Sequence, residues 1–135
     1  MKKLILASAI AMGLSMNANA GPLERDVAID SQCAGVFLAA SFIYEANGMD
    51  AKAKEHSSQS WSLKASAVTK AQYLGLKADH AIKSVNGYVK KSTQDTIQGA
   101  INQQKNGPEA LQKYFDAMYA RCETPMILAV SKYPF

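Results

Sequence analysis

The chain has 135 residues, 48% of them apolar and 19% charged, with four prolines and eight glycines. That balance suits a single folded domain and excludes disordered, collagen-like and low-complexity chains. The formal charge of +4 shrinks to about +2 once Lys2 and Lys3 leave with the segment described next, too weak and too poor in arginine for a nucleic-acid surface.

The opening residues read as an export signal. Met1-Lys2-Lys3 is positive, Leu4 to Leu14 is apolar and uncharged, and Ala18-Asn19-Ala20 is the small-x-small pattern that signal peptidase accepts before Gly21. Residues 1–20 are therefore expected to be cleaved, leaving 21–135 as one domain in the periplasm or outside the cell. The cleavage point exposes no cysteine for lipid attachment, and the apolar run is shorter than the ~20 residues that cross a bilayer.

Pro22 suits the first turn of a helix running to about Ala46, with Glu24 and Asp26 near its positive end and Asn47-Gly48 as a stop. At 100° per residue its apolar side chains occupy two arcs, one of Ile29, Cys33, Val36, Ala40 and Ile43, the other of Leu23, Val27, Ala34, Leu38 and Phe42. A helix apolar on two sides is expected in the middle of a bundle. Gly35 and Ala39 would admit a close neighbour there. The most apolar part, Cys33 to Tyr44, is too short to span a membrane and reads as buried.

Asp50 is expected to cap the next helix. From Trp61 to Val89 an apolar arc persists through Leu63, Ala67, Val68, Ala71, Leu74, Ala78, Ile82 and Val85. One straight helix from Ala51 to Lys91 would reach about 60 Å, against a radius of gyration near 13 Å for so small a domain. A break is therefore expected, at Ser57-Ser58-Gln59-Ser60 or at Gly75. Ser92 or Thr93 would cap a short third helix containing Ile97, Ala100 and Ile101 and ending at Asn106-Gly107. Pro108 and Glu109 would open the last helix, through about Glu123, until Pro125 interrupts it. Met126 to Val130 would dock as a final turn or tail, with Tyr133-Pro134-Phe135 at the surface. No stretch alternates as a strand does, so the expected fold is all-α, a small bundle of four to five helices.

Cys33 and Cys122 are the only cysteines, and an exported chain with two most simply pairs them. Cys33 shares an arc with Ile29, Val36 and Ala40, and Cys122 one with Leu111, Phe115 and Met118, so both sulfurs face a core. The bond would staple the first helix to the last.

Catalytic and cofactor signatures are sparse. His56 and His80 would stand about 36 Å apart on one straight helix, and neither HExxH nor CxxCH occurs, so no metal or cofactor is expected. GxSxG and a glycine-rich phosphate loop are missing, and carboxylates such as Glu24 with Asp26 are explained by helix starts. His56 reads as a helix-start or core-edge residue, His80 as solvated, and Met118 as core. No motif is specific enough to name a family.

A stapled, exported bundle without such apparatus is expected to act by contact, as a non-catalytic binding module for another envelope or secreted protein: an inhibitor or immunity protein, or a small accessory or chaperone-like factor. The segment from Asp50 to Lys91 holds eight lysines against Asp50, Glu55 and Asp79. Lys70, Lys77, Lys83 and Lys90 on that segment, with Tyr133 and Phe135 in the aromatic tail, are the candidate partner surface. The alternative is a bundle that holds a small apolar ligand or haem between facing helices, for which a histidine or methionine pair would be needed.

Overall fold

The computed structural model describes residues 21–134; the expected signal segment and Phe135 lie outside the described residues. Four helices follow one another: α1 (Pro22–Ala46), α2 (Asp50–Tyr73), α3 (Ala78–Gln104) and α4 (Pro108–Lys132). The all-α bundle expected from the sequence is the fold found.

Helix α1 is the hub. Val27, Ala28, Cys33, Ala34, Val36, Phe37, Ala39 and Ala40 are all buried, and between them they point in every direction around the axis. By length and apolar character Leu23–Ala46 would suffice to cross a membrane, but 67% of its most apolar 18-residue window is buried inside the bundle. A core helix enclosed by three others accounts for that apolarity.

Helix α2 runs antiparallel to α1, as three serine hydroxyls show. Ser41 on α1 donates to the Ala53 carbonyl, Ser60 donates to the Ala34 carbonyl, and Ser66 donates to the Asp30 carboxylate at 2.7 Å. Leu63, Ala67 and Ala71 fill the gaps between these bonds. Small side chains bring the backbones close enough for a hydroxyl to reach a carbonyl on the facing helix. Each bond then satisfies a buried polar group, contributing about 1 kcal/mol net.

The long second helix does break, at Gly75 and not in the serine stretch. Gly75 takes φ +98°, a left-handed conformation that side chains with a Cβ resist. Ser57 to Ser60 stay helical, because the weak intrinsic helix preference of serine is overridden by the burial of Ser60 and its bond to the Ala34 carbonyl. The break also resets the helical phase, so the single apolar arc drawn through Trp61 and Ile82 does not survive. Leu63, Ala67, Ala71 and Val85 are buried, whereas Trp61 and Ile82 are each about half exposed at 52% and 48%.

Three helix limits differ from expectation. Asp50 is the first residue of α2 and makes no side-chain cap bond; Met49 precedes it at the cap position. Ser92 and Thr93 cap nothing, since α3 is a single helix through both. Ser92 instead donates to the Gln32 carbonyl of α1, and Thr93 donates back to Val89 within its own helix. Gly35 explains this crossing: a Cβ there would fall 2.4 Å from Ser92 Cβ and 2.9 Å from the Thr93 backbone nitrogen. The close approach expected at Gly35 is real, and it decides where α3 crosses α1.

Pro125 lies inside α4, which continues to Lys132. A proline in a helix interior costs about 3 kcal/mol. Here Ala129 is buried beyond it, Met126 packs on the core, and Ser62 of α2 donates to the Tyr133 carbonyl at 2.7 Å. Packing on both sides of the proline and a bond at the far end offset its cost. Residues 126–130 are thus docked on the bundle as helix.

The staple joins Cys33 on α1 to Cys122 on α4, with Cα atoms 5.5 Å apart and a sequence separation of 89. Loop-closure entropy puts its stabilisation at about 4 to 5 kcal/mol, an upper figure. An intramolecular disulfide and an apolar N-terminal stretch together favour, weakly, an exported chain.

Candidate functional site

At the far end of the α1–α2 interface the sequence adds large rings beside the Ser41–Ala53 contact. Phe37 and Tyr44 come from α1, His56 from α2, and Phe115 and Tyr119 from α4. The imidazole of His56 meets Phe37 at 5.6 Å, Tyr44 at 5.1 Å and Tyr119 at 5.5 Å, each edge to face. Phe37 stacks on Tyr119 at 5.6 Å with planes 14° apart, and Tyr119 stacks in turn on Phe115. Beside these rings a recess opens, lined by residues of α1, α2 and α4.

The recess has a volume of about 340 Å³ and is lined by Phe37, His56, Gln59, Asp116, Tyr119, Ala120, Glu123 and Met126. Five of these share one stripe of α4, because positions 116, 119, 120, 123 and 126 fall on one side of a helix. Phe37 and Tyr119 supply the aromatic wall, and the exposed Asp116 and Glu123 form the rim. The disulfide sits at the base of the same wall: Cys122 precedes Glu123, and Cys33 is one turn before Phe37.

Burial, the largest influence, pushes the His56 imidazole below its ordinary 6.5; Lys52 adds to this while Glu55 and Gln59 oppose it. His56 is therefore neutral at physiological pH. Its Nδ1 and the Oε1 of Gln59 are buried without a hydrogen-bond partner. Burial likewise pushes the Tyr119 hydroxyl up, assisted by the neighbouring Tyr44. The outer face of Tyr44 carries the Lys52 ammonium at 5.3 Å from its ring centre, so this cluster already attracts one cation.

At the opposite end of α1, Asp30 has a side chain only 5% exposed, with Lys70 Nζ 2.8 Å from its Oδ2. Burial, the dominant cause, raises the Asp30 pKa above the ordinary 3.8, against the lowering effects of Lys70 and Ser66. Of the residues singled out in the sequence, Lys70 is thus turned inward to a buried carboxylate. Lys77 is exposed at the start of α3, and Lys83 and Lys90, seven apart, are exposed on one side of it. Tyr133 is half-buried, with its carbonyl bonded to Ser62 and its ring 6.0 Å from Lys132 Nζ. The lysines of α3 and the Lys70 pair are separate features. Cys33 and Cys122 are joined as expected.

His56, expected at a helix start or at the core edge, is half-buried at the core edge, and no motif in the sequence connects it with Tyr119, Asp116 or Glu123. The stripe at 116, 119, 120, 123 and 126 was the one available signal. It mixes acidic, aromatic and small residues, so no hydrophobic period marks it. Comparison of the chain with family models, with curated proteins and with solved structures finds no match.

Proposed function

We propose that the protein is an exported, non-catalytic binding module whose contact site is the recess between α1, α2 and α4. The observation that carries this reading is a preformed, aromatic-walled recess on a helix stapled to the hub. A wall that is rigid before contact loses little conformational entropy on binding. At about 340 Å³ the recess is near the lower limit for small-molecule sites, a size suited to one inserted side chain. Inhibitor, immunity, accessory and chaperone-like roles in the periplasm all use such a contact, with another envelope protein as partner.

The non-catalytic part of the reading is supported by His56. Its ring is wedged among three aromatic rings, and its buried Nδ1 has no carboxylate to orient it. A general base needs both an orienting partner and reach to a substrate proton.

The test is a filled recess. Ala120 is exposed at the mouth, so Ala120→Trp occupies the volume without entering the core. The variant should melt with the wild type and lose partners that the wild type captures from envelope extract. Identical capture by both proteins would refute the recess as the contact site.

A second reading has a specific observation behind it. His56 on α2 and Met126 on α4 line the same recess and are residue types that ligate haem iron, although a recess of this size would have to widen to admit the macrocycle. Purified protein with a Soret band that disappears in Met126→Leu would favour haem; a colourless protein that does not bind added haem would remove it.

A further inference from the structure

Resting on the binding reading, we propose that the recess receives an arginine side chain of a partner polypeptide. Its lining contains two carboxylates, Asp116 and Glu123, and no lysine or arginine, in a mature chain that is otherwise net basic. The local sign is therefore opposite to that of the molecule. A guanidinium is planar, stacks on aromatic faces, and donates in a fork to carboxylates. Phe37 and Tyr119, stacked on each other and Tyr119 also on Phe115, supply an aromatic wall, and the two rim carboxylates, seven residues apart on α4, supply acceptors on either side of Ala120, with one Asp116 oxygen shared with the Gln112 amide.

Three further observations agree with a cationic occupant. The His56 imidazole is held neutral by burial, so it does not repel a positive group. Gln59, also in the lining, adds a neutral amide and no positive charge. The ring cluster already attracts Lys52 on its outer side. A polypeptide is favoured over a free cation because Ile127 stands exposed beside the rim at 53%. It continues the 116–120–123 stripe by one turn and offers apolar contact to the residues flanking the arginine.

The experiment uses the oxidised mature protein and follows backbone amide and imidazole NMR signals during titration with three probes. These are a capped Gly-Arg-Gly peptide, the same peptide with neutral citrulline, and butylguanidinium. The arginine peptide should shift the signals of Tyr119, Ala120 and Glu123 and bind roughly tenfold tighter than the citrulline peptide, as expected for a charge-assisted pair. Asp116→Asn and Glu123→Gln, both at exposed rim positions and checked for unchanged melting, should each weaken it about threefold or more. Equal binding of arginine and citrulline peptides, or no shifts at millimolar peptide, would overturn the proposal. So would butylguanidinium binding more tightly than the peptide, which would assign the site to a free cation. If the double variant Asp116→Asn/Glu123→Gln captures partners from extract as well as the wild type while Ala120→Trp does not, the binding reading stands and the arginine assignment falls.

Discussion

The two ends of the α1–α2 interface solve the same packing problem in opposite ways. Near Asp30 the helices meet through Ser66, Ala67 and a buried ion pair to Lys70. Near His56 they carry rings that pack on Tyr119 of α4 beside a recess. Both ends bury an ionisable group, and burial shifts each toward its neutral form. Because one is an acid and the other a base, the neutral forms lie on opposite sides of the pH scale. Small residues produced a closed, polar contact; large residues produced an open, apolar one.

That contrast can be broken first at the staple between the two ends. Replacing Cys33 and Cys122 together by alanine should cost about 4 kcal/mol, lowering Tm by more than about 10 °C while helix content by circular dichroism at low temperature stays near that of the wild type. Equal melting of the two proteins would mean that the bond contributes nothing.

Lys70→Met attacks the closed end alone. It leaves the Asp30 carboxylate buried with only Ser66 as donor, and should cost about 2 kcal/mol at neutral pH. That is less than a fully buried pair because Lys70 is itself 31% exposed. The raised pKa of Asp30 means that the folded chain holds this proton more tightly than the unfolded one. The stabilising contribution of the protonated group is complete below about 3.8 and is lost as pH rises through the folded value. Urea unfolding should therefore show the deficit of Lys70→Met shrinking as the solution is acidified. A deficit that grows in acid would contradict the assignment.

The open end should respond with the opposite sign. The lowered pKa of His56 contributes stability that is present above about 6.5 and is lost as pH falls through the folded value. His56→Phe should change stability at pH 7.5 by less than about 1 kcal/mol, an aromatic swap of similar size, and should flatten the loss that the wild type shows on acidification from neutrality. An unchanged acid limb would show that His56 is not its source. The smallest effect is expected from Asp30→Asn, which exchanges a buried ion pair for a neutral amide while Lys70 swings to solvent. It should be within about 1 kcal/mol of wild type at pH 7, and should remove the Asp30 contribution to the pH profile.

Much of this architecture was legible because it is local. Pro22, Asn47-Gly48, Asn106-Gly107 and Pro108 mark helix limits through their own backbone preferences, and α1 announced its central position by carrying apolar residues all round. The paired cysteines followed from their number and from the arcs they share. The readings that failed were those in which a local preference met a distant neighbour. Ser92 and Thr93 look like caps, yet Gly35 draws α3 against α1 at that height and gives Ser92 a carbonyl to bond. Pro125 looks like a stop, yet buried Ala129 and the bond from Ser62 carry α4 past it.

The sequence by itself determined that a bundle of four to five helices would form, which one would sit at the centre, and which two would be stapled. These depend on period, punctuation and composition, all set within a few residues. Tertiary structure alone decided that Lys70 turns inward to Asp30, and that Phe37, His56 and Tyr119 meet beside a recess whose lining includes Asp116 and Glu123. A cavity or a buried ion pair is a property of the distance between helices. That distance is set by the sizes of side chains that meet from separate parts of the chain.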